Sequence, residues 1–157
     1  DEFQGDMVPR VTYMGDPYSC AFSGKALTFF SSRNLASPEL LEQRTIEERI
    51  DSVFYSDEYA AAIVRNTNGE YGSRLEVYKK DGTHVLSKEF NFEYTHADFD
   101  GDLIILYNED SCRIYNMSGT EKFDATFDFP VSRIRKGRFP GTLVVTGPQQ
   151  MRELKLH

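Results

Sequence analysis

Four stretches decide the reading of this chain: LTFFSSRN at Leu27–Asn34, LEVYKKDG at Leu75–Gly82, CRIYNMSG at Cys112–Gly119 and MRELKLH at Met151–His157. Each is an apolar strand running into a charged or small turn. Their starts lie 48, 37 and 39 residues apart. A repeat near 40 residues, built of short strands and turns, has the spacing of a β-propeller blade. The expected fold is all-β: a propeller-type array of about four antiparallel four-stranded blades, the last incomplete. The blades cover approximately 8–46, 47–90, 91–128 and 129–157 of one propeller-like domain. Propellers host unrelated functions, so the architecture alone names none.

Working outward, the first unit reads as strands Arg10–Met14, Tyr18–Phe22, Ala26–Ser31 and Glu39–Thr45. A short helix over Pro38–Glu48 is the rival for the last, because Ser37 can cap it with Pro38 at its first position. The repeat demands a strand there, and the strand is preferred. The second unit reads Ile50–Ser56, Tyr59–Arg65, Arg74–Lys79 and Val85–Phe90, with a polar loop at Asn66–Ser73. Asp81-Gly82 is a strong hairpin signal. The third reads Tyr94–Phe99, Leu103–Asn108, Ser111–Asn116 and Lys122–Phe127. The fourth reads Val131–Arg135, Thr142–Thr146 and Met151–Leu156, with no outer strand.

The 157 residues suffice for a domain with a real core. Aromatics make up 13%, all Phe and Tyr, which favour half-buried pleated surfaces. A net charge of −7 argues against nucleic acid or an anionic membrane surface as partner. No apolar run approaches the roughly 20 residues of a membrane span, and Asp1–Asp6 does not read as a signal peptide. The two cysteines, Cys20 and Cys112, fall on different strands of repeats two units apart. They read as buried thiols, not as a bridge.

The runs IDSVFYSDEYAAAIV (Ile50–Val64), SKEFNFEY (Ser87–Tyr94), ILYNEDSCRIYNMSGTEKF (Ile105–Phe123) and VPRVTYM (Val8–Met14) resemble the uncharacterised "domain of unknown function 5711" family of clostridial-type bacterial proteins. The resemblance covers almost the whole chain and is weakest after Arg138. It implies a single N-terminal membrane anchor followed by a propeller-like ectodomain, with this chain matching the C-terminal half. It therefore implies a place on the extracellular side of a bacterial membrane. The family brings no established activity and no catalytic motif.

Chemistry is sparse in the residues themselves. Asp98, Asp100, Asp102 and Glu109 take positions 1, 3, 5 and 12 of a calcium loop. Leu103 stands where that loop needs glycine, and the strand LIILY cannot wrap an ion. Acids recur in the turns of the first three units, as Asp16, then Asp57 and Glu58, then Asp100 and Asp102. Turns favour Asp; the functional reading is an acidic docking face. Arg133, Arg135, Lys136 and Arg138 form a basic cluster whose expected partners are carboxylates of a neighbouring blade. His84, His96 and His157 lack the spacing of a zinc site and read as surface residues. No G-x-S-x-G elbow or phosphate loop occurs. Tyr78 and Tyr115 share the repeat position held by Phe30, which suggests packing between blades. Tyr71, in the long loop, is a candidate contact residue.

These readings point to a non-enzymatic cell-surface interaction or scaffold module. It would take an unknown protein or envelope component through Asp16, Asp57, Glu58, Tyr71, Asp100 and Asp102, with no catalytic residue, metal or cofactor. The alternatives are a glycan-acting or other hydrolytic enzyme using loop carboxylates, and a purely structural part of a larger propeller. Bare terminal faces would be closed by pairing into a homodimer or by a small ring using Asp1–Asp6.

Overall fold

A computed structural model describes residues 10–13, 18–22, 25–31, 33, 39–46, 48–65 and 71–156. Among them are fifteen strands in four antiparallel sheets. The first sheet holds β1 (Arg10–Tyr13), β2 (Tyr18–Phe22), β3 (Ala26–Ser31) and β4 (Glu39–Thr45). The second holds β5 (Ile50–Tyr55), β6 (Tyr59–Arg65), β7 (Ser73–Lys79) and β8 (His84–Phe90). The third holds β9 (His96–Asp100), β10 (Leu103–Tyr107), β11 (Ser111–Asn116) and β12 (Glu121–Thr126). The fourth has three strands, β13 (Arg133–Lys136), β14 (Thr142–Thr146) and β15 (Met151–Lys155). Each sheet is a plain meander in chain order. The chain divides into two compact units, Asp1–Asn91 with the first two sheets and Phe92–His157 with the last two.

The strand over Glu39–Thr45 prevails over the helix. It pairs with β3 from Ser31↔Glu39 to Ala26↔Thr45, and the ladder outweighs the local cap signal. The third unit differs from expectation at its entry: the strand begins at His96, not Tyr94. The Tyr94 N–H turns back to the Phe92 carbonyl at 3.1 Å, and only Thr95 reaches the Tyr107 carbonyl at 3.0 Å. The turn Asp100–Leu103 is correspondingly tight. Gly101 takes φ 59°, which a two-residue hairpin requires at its first central position.

The third and fourth strands of the first three sheets share a register shift, at Phe29/Phe30, Val77/Tyr78 and Ile114/Tyr115. In the second and third sheets the turn beyond it is also the same. Lys79 N–H bonds to the Thr83 carbonyl at 2.8 Å, and Asn116 N–H to the Thr120 carbonyl at 3.0 Å. Gly82 and Gly119 close the two loops at positive φ.

The core of the first unit lies between its two sheets. Cys20, Phe22, Leu27 and Phe29 meet Ala60, Ala62, Val64 and Tyr78. The rings of Phe29 and Tyr78 are 5.8 Å apart. Tyr78 thus packs between sheets, as its repeat position implies. In the second unit Leu103, Ile105, Tyr107, Cys112 and Ile114 meet Ile134, Leu143 and Val145. Both cysteines are free and buried. Burial pushes each thiol up to about 12, so the reactive thiolate is scarce at neutral pH. Ellman's reagent at pH 8 is expected to leave the native chain unmodified and to titrate both thiols once it is unfolded. Rapid labelling of the native chain would contradict the burial.

Gly82 ties turn chemistry to sheet packing. A Cβ placed there would lie 2.4 Å from the Glu42 Cβ, and its φ of 91° disfavours any side chain. Gly141 has φ 73° but open space around it. Gly82→Ala should therefore lower stability by about 2–3 kcal/mol and Gly141→Ala by about 1 kcal/mol. Urea unfolding of both variants checks the order; equal losses would show that the contact with Glu42 is immaterial.

Candidate functional site

Of the residues singled out from the sequence, Asp57, Glu58 and Tyr71 belong to the first compact unit and Asp100 and Asp102 to the second. Asp16 lies outside the described residues. Asp57 and Glu58 form the β5–β6 turn, where Ser56 Oγ accepts the N–H groups of Glu58 (3.3 Å) and Tyr59 (3.1 Å). Asp57 is exposed, and the Glu58 carboxylate sits 3.7 Å from the Lys80 ammonium. Tyr71 is exposed just before β7. Asp100 and Asp102 both reach Lys136 of the adjacent sheet: Asp100 accepts its backbone N–H, and Asp102, itself largely exposed, meets its ammonium at 3.4 Å. One member of the basic cluster thereby finds carboxylates of the adjacent sheet. Among the described residues no three His, Cys, Asp or Glu side chains gather where a metal could be held.

The turns β5–β6 and β7–β8 lie at the same end of the second sheet, because Tyr59 pairs with Lys79. Lys80 N–H bonds to the Glu58 carbonyl at 3.1 Å. With Tyr18 of the first sheet, these turns frame a shallow groove of about 240 Å³ that includes Glu58, Tyr59, Lys79, Lys80 and Asp81. The Lys80 ammonium lies 5.1 Å from the Tyr18 ring centre.

A second, larger hollow of about 400 Å³ occurs between the same two sheets, bordered by Arg44, Glu48, Arg74, Glu76, Tyr78 and His84. Strand alternation makes its wall. Arg74, Glu76 and Tyr78 stand at successive alternate positions opposite Val64, Ala62 and Ala60, on the face turned to the first sheet. Arg44 stands opposite Leu27 on the facing sheet. Arg74 is the hub. Its Nε donates to Glu76 Oε1 at 2.7 Å, and its two terminal nitrogens donate to both oxygens of Glu48 at 2.8 and 3.1 Å. This is a planar fork that lysine cannot reproduce. Ser87 Oγ also donates to Glu76 Oε1, at 2.7 Å. His84 Nε2 lies 2.9 Å from Glu76 Oε2. A carboxylate only accepts, so the histidine proton belongs on Nε2.

The electrostatics follow from these contacts. The hydrogen bonds from Arg74 hold the Glu48 carboxyl below its ordinary value, and Glu48 in turn raises Arg74. Burial, and then the nearby charge of Glu76, push the Tyr78 phenol up. One guanidinium is shared by two carboxylates, whose combined charge exceeds its own by one. Glycoside cleavage needs a carboxylic acid kept protonated, and Glu48 is driven the other way.

Sequence reading missed this cluster. Tyr78 is legible only as packing, and His84 as a surface residue; His84 is indeed exposed, and it also reaches Glu76. A signal existed in the repeat. The position between two apolar residues of the third strand is Thr28, Glu76 and Arg113 in the first three units. A charge there, flanked by Leu75 and Val77, implies a polar partner close by, and Glu76 finds its partners on its own and the neighbouring strand.

Comparison with known proteins gives the chain a place. It belongs to the family of unknown function DUF5711, whose profile matches residues 1–156. No curated protein matches it. Among solved structures, HIRA(644–1017) is similar at 11% identity and TM-score 0.59, over 87% of this chain and 48% of that one. Kluyveromyces lactis Hsv2 is similar at 10% identity and TM-score 0.53, over 94% and 45%. BBS1N, solved in complex with ARL6DN, is similar at 9% identity and TM-score 0.54, over 92% and 50%. This DUF5711 chain spans about half the length of the solved structures it matches. At such identities the likeness establishes the fold alone, an all-β propeller-type repeat array.

Removing the Glu76 carboxylate leaves Arg74 half-paired in a mostly buried position. Glu76→Ala is expected to cost about 2–4 kcal/mol, less than a fully buried pair because Arg74 keeps some solvent. Chemical denaturation reads this; a loss below about 0.5 kcal/mol would make the network dispensable to the fold.

Proposed function

We propose that this chain is a non-enzymatic interaction module, displayed on the extracellular side of a bacterial membrane, that holds a protein or envelope component on the turn-bearing edge of its second sheet. The carrying observation is the groove between Tyr18 and the paired turns at Glu58 and Lys80–Asp81. Its turns are pinned by backbone and Ser56 hydrogen bonds, so charged groups are presented without an ordering cost. Rigid scaffolds that carry binding groups on loops are the usual economy of such folds. The BBS1N structure, similar in fold, was solved with a bound partner. The location rests on the sequence resemblance alone, and the anchor would lie elsewhere in the protein.

Immobilised chain should bind solubilised envelope material with an affinity that falls about tenfold in the double variant Asp57→Lys, Glu58→Lys and weakens with salt. External protease should digest this region in intact cells. Turnover of a glycan, abolished by a single acid substitution, would overturn the reading; a region inaccessible from outside would overturn the location.

A further inference from the structure

We propose that the corner of the fourth sheet around the β13–β14 loop docks on the surface of an anionic lipid bilayer, with Phe139 entering the headgroup layer and the surrounding cations facing lipid phosphates. This surface belongs to the second unit, and it depends on neither the turn edge of the second sheet nor the location proposed above. The net charge of −7 speaks against such a partner only as an average. Residues 131–157 hold six of the 18 basic residues and one of the 25 acids, a charge of +5, which leaves −12 on residues 1–130. At ordinary salt an exposed charge is felt over only about 10 Å, so the local count decides.

Strand pairing gathers these cations at one end of the sheet. Arg135 stands opposite Val144 and Lys136 opposite Leu143, next to the loop at 137–141. Lys155 stands opposite Thr142, where β14 leaves that loop. A hollow of about 280 Å³ at the same end is bordered by Lys122, Lys136, Asp102, Gly141 and Leu156. Arg133 follows Arg135 on the same face of β13. The acids in reach are Asp100 and Asp102, both on Lys136, and Glu153, opposite Val144. Glu121, beside Lys122, is held by Arg113 at 3.6 Å. Lys122, Arg133, Arg135, Lys136, Arg138 and Lys155 thus stand six against three. Of the six, Lys136 alone has an ion pair among the described residues.

The loop supplies the apolar element. Phe139 is 61% exposed, and Arg138 before it and Pro140 after it are exposed as well. The tip is braced. The Phe139 carbonyl accepts both the Thr142 N–H at 3.2 Å and the Thr142 hydroxyl at 2.6 Å, and the Gly137 N–H donates to the Thr142 carbonyl at 2.7 Å. The Leu156 N–H donates to the Gly141 carbonyl at 2.6 Å, which ties the loop to the end of β15. A single exposed apolar side chain is ordinary. One held at a braced tip among unpaired cations combines apolar insertion with electrostatic attraction, the two signals that peripheral membrane binding needs. A soluble polyanion would satisfy the cations and leave Phe139 in water.

The chain contains no Trp, so Phe139→Trp installs a single fluorescent reporter at the tip. The test mixes this variant with phosphatidylcholine vesicles, with vesicles in which about one-third of the lipid is phosphatidylglycerol, and with poly-aspartate. The anionic vesicles should blue-shift the emission and open it to quenching by brominated acyl chains, and their binding should weaken as salt rises. Neutral vesicles and poly-aspartate should leave the emission unchanged. In sedimentation with the anionic vesicles, Phe139→Ser and the pair Arg135→Glu, Arg138→Glu should each bind about tenfold more weakly than the native chain. All three positions are exposed, and circular dichroism checks that the variants fold. Should the charge-reversed pair fail to fold, Phe139→Ser and the salt dependence decide. Absent binding to anionic vesicles, no quenching by brominated lipid, equal binding to neutral vesicles, the same blue shift with poly-aspartate, or undiminished binding by folded Phe139→Ser would each overturn the proposal.

Discussion

A strand that is apolar on both faces has to be covered twice, and the two units are organised around such strands. In β6 the five residues Ala60–Val64 are all inaccessible to solvent, and in β10 all of Leu103–Tyr107 are buried. Their backbones are paired on both sides within the sheet, which satisfies the polar groups that burial would otherwise strand. Small side chains in β6 let the first sheet approach closely, and Phe29 and Tyr78 fill the remaining depth. In the second unit larger side chains in β10 meet a smaller, three-stranded partner sheet.

Moving outward from the buried strands, the interface of the first unit becomes polar. The facing strand β4 is largely exposed, and β7 offers Arg74 and Glu76 where β6 offers alanine and valine. A buried charge there is tolerable only when every polar atom around it is paired. The Arg74 Nε, Ser87 and His84 provide that pairing for Glu76. The glycine turn at Gly82, packed against Phe29 and Glu42, sets the carbonyl that orients Arg44. Packing, turn geometry and the polar hollow are therefore one mechanical system: loosening Gly82 would release Arg44 as well as the sheet contact.

In the second unit the same kind of coupling uses up acids that looked available. Asp100 and Asp102 hold Lys136 of the next sheet, and Arg152 pairs with Asp128 at 3.1 Å while covering Phe129. Acidic turns that appear equivalent by repeat position thus differ in what they touch: Asp100 and Asp102 reach Lys136, although Asp102 stays exposed, and Asp57 is exposed.

The sequence by itself determined the repeat, the identity of each strand and the turns between them. Those depend on period-two alternation, continuous apolar runs and Asp-Gly or Ser-Gly punctuation, all local. Even the ambiguous Glu39–Thr45 was settled by the repeat. Strand ends at Tyr94 and Val131 were misjudged by two residues because apolar side chains continue past the last ladder bond. The meeting of Arg44, Glu48, Arg74, Glu76 and His84 was decided only by tertiary structure. Those residues come from both sheets of the unit and the segment between them, and which faces oppose each other depends on the register and packing of whole sheets. Alternation says which side of a strand a residue takes; it does not say what stands across from it.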